Sequence, residues 1–407
     1  MLSRIRNLPE SVKQYLIITS NYWCFTLTDG ALRMLVVLHF HQLGYSSLAI
    51  AMLFLFYEVF GVITNFIGGY LGARIGLNRT MNIGLSTQII ALTMLAIPST
   101  LLPVWLAGIP WVMAAQALSG IAKDLNKMSA KSAIKTLIPS NDQGKLYQWV
   151  ALLTGSKNAL KGAGFFLGGV LLSLLGYQGA LLLMAAMLTI VLLCSLAMLK
   201  KNIGKAKLKP KFNELFSKSR QINILSAARL CLFAARDVWF VVALPVYLAS
   251  QLGWNHWEVG GFLALWVIGY GIVQALAPKI TNRKITQAPS HISAIGWLIP
   301  LTMIPLLISL GISIPEFATL ALIIGLLIFG ALFAINSSLH SYLIVNYASD
   351  DGVSLDVGFY YMANAVGRLL GTVLSGWVYQ VHGLEACLWI SSGLLLCAML
   401  VSVKLKN

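Results

Sequence analysis

The chain has 407 residues, of which 58% are hydrophobic and only 10% charged, and its mean hydropathy is +0.80. A soluble domain of this size could not keep so apolar a surface dispersed, so composition places the chain in a lipid bilayer as an integral membrane protein. The formal charge of +16 would fit a nucleic-acid-binding module, and the positions of the basic residues exclude one.

Apolar runs long enough to cross about 30 Å of hydrocarbon predict twelve spans, over 14–38, 46–68, 80–97, 104–124, 147–175, 180–199, 222–250, 257–279, 291–311, 316–342, 356–381 and 384–403. The first is not a cleavable signal peptide, since it is long and holds Asp29 and Arg33. Of the 29 Lys and Arg, 23 lie at the two termini, in loops 74–79, 123–145, 200–220 and 279–284, or at their flanks, and the remaining loops hold none. This is the positive-inside pattern, and it predicts an inner-membrane protein with both termini and the central loop in the cytoplasm. Six basic residues fall inside spans: Arg33, Lys157, Lys161, Arg229, Arg236 and Arg368.

Along the chain, Arg33 follows Asp29 by four residues, which allows either an intrahelical pair or a substrate contact. Glu58 lies mid-span in "FLFYEVFG" with no basic residue nearby in sequence. A lone carboxyl there is the leading candidate to carry a coupling proton, with Asp29 and Asp237 as alternatives. After span 4, Lys123, Lys127, Lys131 and Lys135 recur every four residues beside Asp124 at the cytoplasmic edge. They read as a solvated face answering anionic lipid, or as a funnel that collects an anion.

Lys157 and Lys161 share one face of span 5, about 6 Å apart. Lys157 is twelve residues beyond Lys145, so it sits about 18 Å up the helix, too deep to reach water by snorkelling. It must meet either a carboxylate of another span or an anion from solution. In span 7, Arg236 adjoins Asp237, but consecutive helical positions diverge by about 100°, so these two are expected to find separate partners. Arg229 is expected to reach the interface. His340, four after Asn336 in span 10, is a weaker candidate for the coupling proton and reads rather as a hydrogen-bonded packing residue. In span 11 Tyr361, Asn364 and Arg368 form a polar stripe suited to orienting an acid, or to helix–helix hydrogen bonds.

Six basic residues against the three deep carboxylates Asp29, Glu58 and Asp237 leave a cationic surplus. An anion entering from water balances such a surplus, and paired ammonium and guanidinium groups suit a substrate with more than one oxyanion. The five cysteines all fall within spans, which argues against a disulfide framework and reads as buried apolar thiols. The sequence holds no metal-ligand cluster, no Ser-His-Asp or Cys-His set and no nucleotide loop, so a membrane-embedded enzyme or receptor is disfavoured and no metal or cofactor is implied.

The polar segment 200–221 divides six spans from six, and the halves resemble each other: "QLGYSS" at 42–47 and "QLGWNH" at 251–256 each close the first span of a half. The loop "GGYLGARIGLNRT" (68–80) is similar to the cytoplasmic motif of the major facilitator superfamily, with Gly69, Leu71, Arg74, Gly76 and Arg79 at matching or near-matching positions. Ala73 stands where that motif has Asp. The resemblance implies an all-α membrane protein: twelve transmembrane helices in two six-helix bundles, 1–199 and 222–407, rocking by alternating access about the midplane. The missing Asp implies an altered gating latch.

The strings "TDGALRMLVVLHF" (28–40), "SGIAKDLNKMSAKSAIK" (119–135) and "GSKNALKGAGFFLGG" (155–169) resemble the organoarsenical efflux permeases, the ArsJ family. That resemblance implies export of 1-arseno-3-phosphoglycerate, made from arsenate by a partner glyceraldehyde-3-phosphate dehydrogenase. The scattered cysteines agree with pentavalent rather than thiophilic trivalent arsenic. The residues alone leave open an organophosphate/phosphate antiporter.

Overall fold

The computed structural model describes residues 9–45, 53–103, 108–137, 143–199, 203–206, 219–281 and 289–405. Arg4, Arg6, the end of the 42–47 repeat, Arg283, Lys284, Lys406 and most of the 200–221 linker lie outside them. The α-helices are α1 (Glu10–Gln42), α2 (Leu55–Ile75), α3 (Leu77–Ala96), α4 (Ile109–Leu137), α5 (Gln143–Met198), α6 (Arg220–Phe240), α7 (Ala243–Ser250), α8 (His256–Thr281), α9 (His291–Ile312), α10 (Ala318–Tyr347) and α11 (Val353–Ser402). No strand occurs among the described residues.

Two helices contain sharp turns, α5 at Gly176 (φ 66°) and α11 at Gly383 (φ 76°). Positive φ is tolerated by Gly and breaks the helix there, so each holds two crossings. Over the described residues, every predicted span therefore overlaps a helix, span 222–250 taking in both α6 and α7. Among the described residues six helices are long and apolar enough to cross a membrane, and their outer faces carry Leu174, Leu265 and Trp377, each more than 60% exposed. Lipid is the solvent such faces require.

One boundary differs from expectation. Span 4 was placed at 104–124, but α4 begins at Ile109 and runs to Leu137. Asp124 is therefore mid-helix, and the lysines from 123 to 135 belong to the same helix.

The described structure forms two compact units. The first comprises Met1–Asp142, Leu160–Phe216 and Ser349–Met362. In it α4 is central, packed by α1, α2 and α3. Close helix approach depends on glycine: a Cβ on Gly30 would lie 2.6 Å from the Lys161 carbonyl oxygen, and one on Gly164 would lie 2.6 Å from that of Leu27. The start of α11 packs on α2 in the same way, since a Cβ on Gly358 would lie 2.8 Å from Gly69 Cα, and Ser354 Oγ donates to the Gly69 carbonyl at 2.8 Å.

The second unit comprises Gln143–Ala159, Ser217–Ala348 and Ala363–Asn407. Its core is aromatic: Trp239 meets Phe329 edge-on at 5.0 Å, and Trp266 donates its indole N–H to the Leu326 carbonyl at 2.9 Å. A polar network crosses this unit. Asn158 donates to Gln274 at 2.7 Å, Gln274 to Ser337 Oγ at 3.2 Å, Arg229 to the same hydroxyl at 3.1 Å, and Arg229 Nε to Asn364 at 2.8 Å. In hydrocarbon these side chains satisfy one another.

Gly358→Val should destabilise the protein by about 1–3 kcal/mol through overpacking, read as a lower melting temperature in detergent. Gly376→Val is the control, since nothing lies within 4 Å of a Cβ there. Equal melting temperatures for the two variants would contradict the described α2–α11 contact.

Candidate functional site

The close approach of α1 to α5 brings Lys161 onto Asp29. The ammonium lies 3.6 Å from Asp29 Oδ2, and Tyr57 donates its hydroxyl to Oδ1 at 2.7 Å. Asp29 is almost fully buried. Arg33 does not take up the intrahelical option: its guanidinium bonds Glu58 on α2 at 3.2 Å and lies over the rings of Phe54 and Tyr57, 5.1 and 5.3 Å from their centroids. Glu58 is therefore not the isolated carboxyl expected. Arg33 reaches it from α1, and Lys123 approaches it from α4 at 3.9 Å, contacts that no sequence neighbour could reveal.

Lys123 also lies 3.8 Å from Asp124 and 3.7 Å from the Tyr57 ring centroid. Asp124, with a side chain only 2% exposed, pairs with Lys127 as well. One turn on, Lys131 is buried and donates to the Tyr361 hydroxyl. The expected solvated face is thus corrected: α4 turns Lys123, Lys127 and Lys131 into the first unit, and only Lys135 reaches an exposed acid, Asp350, at 3.4 Å. In sequence Asp124 reads as the end of a span, which hides the continuation of α4 to Leu137. The four-residue spacing of the lysines beside that acid was the available signal.

In the second unit Asp237 is fully buried and accepts from two guanidiniums, Arg236 Nε at 2.6 Å and Arg368 Nε at 3.2 Å. Arg236 was expected to point away from its neighbour. Its long side chain instead curls back across the divergence while the guanidinium lies over Phe233, 4.8 Å from the ring centroid. Arg229, expected at the interface, is buried in the network described above and lies over Phe233 at 4.0 Å. The span 11 stripe divides: Tyr361 meets Lys131 in the first unit, and Asn364 and Arg368 meet Arg229 and Asp237 in the second.

The two carboxylate sites repeat. Asp237 follows Asp29 by 208 residues, Arg368 follows Lys161 by 207, and Gly371 follows Gly164 by 207. Gly371 admits Ala234 and Asp237, as Gly164 admits Leu27 and Ala31. The same acid–base pair, set by the same close helix contact, occurs once in each unit.

Lys157 is half-buried in α5, one turn before Lys161 and beside Asn158. His340 is not the hydrogen-bonded residue expected: it is fully buried, and neither ring nitrogen has a hydrogen-bond partner among the described residues. Two cysteines, Cys194 and Cys397, are exposed rather than buried, and Cys24, Cys231 and Cys387 are wholly or partly covered. No group of three or more His, Cys, Asp or Glu able to hold a metal ion occurs among the described residues.

Residues 18–342 match the family model of the Major Facilitator Superfamily. The chain belongs to the major facilitator superfamily. It is a multi-pass membrane transporter for small molecules and not an enzyme.

Similar solved structures include the human organic anion transporter MFSD10 (TETRAN), at 16% identity and TM-score 0.77, with 97% of this chain and 100% of that one covered. The proton:xylose symporter XylE bound to 6-bromo-6-deoxy-D-glucose is 13% identical, with TM-score 0.76 and 98% and 97% covered. The E. coli fucose:proton symporter FucP is 12% identical, with TM-score 0.75 and 98% and 100% covered. At these identities the likeness shows the fold alone. No curated protein matches the sequence.

Within this superfamily member the motif 68–80 is built without its carboxylate. Ala73 is fully buried in a small apolar contact with Leu355, and its carbonyl accepts from Ala206 N at 2.9 Å. An Asp would be desolvated there. Gly76, at φ 99°, turns the chain from α2 into α3. Arg74 donates to Tyr70 Oη at 2.5 Å and is exposed, as is Arg79. Gly69 holds the Ser354 and Gly358 contact.

Asp237→Asn would leave Arg236 and Arg368 without the carboxylate they share. Removing one partner of a buried pair costs about 3–5 kcal/mol, so this variant should lose much of its thermal stability in detergent. Arg368, whose side chain is 33% exposed, should tolerate Gln with a far smaller loss. The reverse order would show that Asp237 is not held by charge.

Proposed function

We propose that this transporter exports a phosphorylated organic anion, 1-arseno-3-phosphoglycerate, and so confers arsenate resistance. The observation that carries the reading is the set of Arg33, Lys123, Lys127 and Lys161 around Asp29, Glu58 and Asp124, with Lys131 one turn on against Tyr361, inside apolar helices. Four basic side chains around three acids, with a fifth beside them, favour an added anion. Phosphate and arsenate groups are hard oxyanions that ammonium and guanidinium recognise well. The resemblance of strings 28–40, 119–135 and 155–169 to the ArsJ permeases supplies the particular substrate, with glyceraldehyde-3-phosphate dehydrogenase as the enzyme that makes it.

In this reading the chain sits in the inner membrane with both termini cytoplasmic. Bundles 1–199 and 222–407, joined by the 200–221 linker, alternate access. In the first unit substrate oxyanions compete with Asp29 for Lys161 and with Glu58 for Arg33, and in the second Arg368, one-third exposed, is the cation open to an oxyanion. Tyr361 in the first unit, and Asn364 and Lys157 in the second, are further polar groups suited to an oxyanion. The contact of Ser354 and Gly358 with Gly69 breaks and re-forms during the cycle.

The ion pairs bear on coupling. The carboxyls that could carry a proton are paired with cations, Glu58 with Arg33 and Lys123 and Asp29 with Lys161. This favours the second reading, exchange against an outside anion such as phosphate. A membrane potential negative inside also drives anions outward, by about 2.3 kcal/mol per net charge per 100 mV.

Everted membrane vesicles test both readings. Labelled arsenate should accumulate only when glyceraldehyde-3-phosphate, NAD and the dehydrogenase are all present, and no accumulation in energised vesicles containing folded protein would refute the substrate. Under exchange, phosphate preloaded in the lumen stimulates uptake and Glu58→Gln leaves its pH dependence unchanged. Lys157→Ala and Arg368→Gln should each lower uptake at least about tenfold, the loss of one charge-assisted contact, with normal amounts of protein in the membrane.

A further inference from the structure

The lysines of α4 have so far carried only general charge, and their arrangement with Tyr361 is specific. Positions 123, 127 and 131 advance by four residues, about 6 Å and 40° past a full turn at each step. They form a ladder about 12 Å long. Its rungs differ in cover. At one end Lys123 faces Glu58, whose side chain is 32% exposed. In the middle Lys127 is paired with Asp124. At the other end Lys131 is 2% exposed and donates to a phenol.

Tyr361 lies between the last two rungs, with both ammonium nitrogens 4.8 Å from its ring centroid. The residues around it on α11 are those that hold α11 to α2: Ser354 through its hydroxyl and Gly358 through backbone contact with Gly69. Tyr361 is three residues beyond Gly358 on the same helix.

We propose that Lys127 and Lys131 are a loading site for a tetrahedral oxyanion and that Tyr361 occupies this site until an oxyanion displaces it. An oxyanion outcompetes a neutral phenol as acceptor for an ammonium, because a charge-assisted hydrogen bond is about twice as strong as one to a neutral acceptor. An arriving phosphate or arsenate group takes Lys131 from the Tyr361 hydroxyl and draws Lys127 from Asp124. Displacing Tyr361 loosens the first turns of α11 from Gly69. Anion binding is thereby linked to release of the α2–α11 contact, and Lys123 and Arg33 receive the anion as it moves along the ladder. The proposal rests on the reading of the chain as an oxyanion exporter, and the ligand group is the phosphate-like one shared by every candidate substrate.

The test uses full-length protein in nanodiscs, with Ser354→Cys in a background freed of the five native cysteines, and inorganic phosphate as probe. Phosphate should raise the rate of maleimide labelling at position 354 severalfold, and potassium chloride at equal ionic strength should not. Tyr361→Phe keeps the ring and removes the acceptor, so it should raise labelling without phosphate and shift the phosphate midpoint to lower concentration. Lys131→Gln should abolish the response.

A labelling rate indifferent to phosphate, an equal response to chloride, or a midpoint unchanged by Tyr361→Phe would overturn the proposal. If Lys131→Gln fails to fold, the Tyr361→Phe midpoint decides alone. A Lys131-dependent response in protein that transports no arsenylated glycerate would keep the loading site and refute the substrate. Intact transport with no phosphate response would do the opposite.

Discussion

A charge inside an apolar helix must be compensated, and the arrangement of this transporter follows from how that is done. Asp29 is met by Lys161 and Asp237 by Arg368, at places separated by nearly the same number of residues in the chain. Neither pair is reachable within one helix. Each needs a second helix at backbone distance, which Gly30 and Gly164 allow in one unit and Gly371 in the other. The glycines and the charges are thus parts of one feature, because the small residues determine which carboxylate meets which cation.

Such pairs are poor stabilisers in net terms. Desolvating both ions costs about as much as their attraction returns, while stripping one partner is strongly unfavourable. That asymmetry is useful in a carrier. A pair that is near balance when intact, and costly when broken without replacement, can be opened cheaply by a competing anion. It also resists opening when no anion is present.

Much of the fold was legible in the sequence because bilayer thickness imposes a length on every apolar run. The turns at Gly176 and Gly383 fell where span edges were drawn. What was not legible was pairing. Arg33 was set against Asp29 because both lie on one helix, yet it bonds Glu58, and Glu58 looked solitary because its partners come from α1 and α4. Arg236 and Asp237 were separated by an argument about Cβ directions that ignores the reach of a long side chain. The lysines of α4 read as a solvated face or an anion funnel beyond a span ending at Asp124, whereas the helix continues to Leu137 and buries Lys131. In each case the sequence shows which charges exist, and only tertiary packing decides which of them meet.

The two repeated pairs are not equivalent in strength, and the difference has mechanical consequences. Asp237 is gripped by two guanidiniums, one at 2.6 Å, in an aromatic surround. Planar guanidinium forks on a fully buried carboxylate leave little freedom. Asp29 is shared between a phenol at 2.7 Å and an ammonium at 3.6 Å, and an ammonium on a four-carbon stem can turn to a new acceptor with small loss. The first unit also holds the lysine ladder, Glu58 and Arg33, whose side chains are about one-third exposed. Exchange of partners is therefore easier in the first unit than in the second. A carrier needs both properties: cations free enough to follow an anion, and a fixed charge pair that keeps its helices in register while they do.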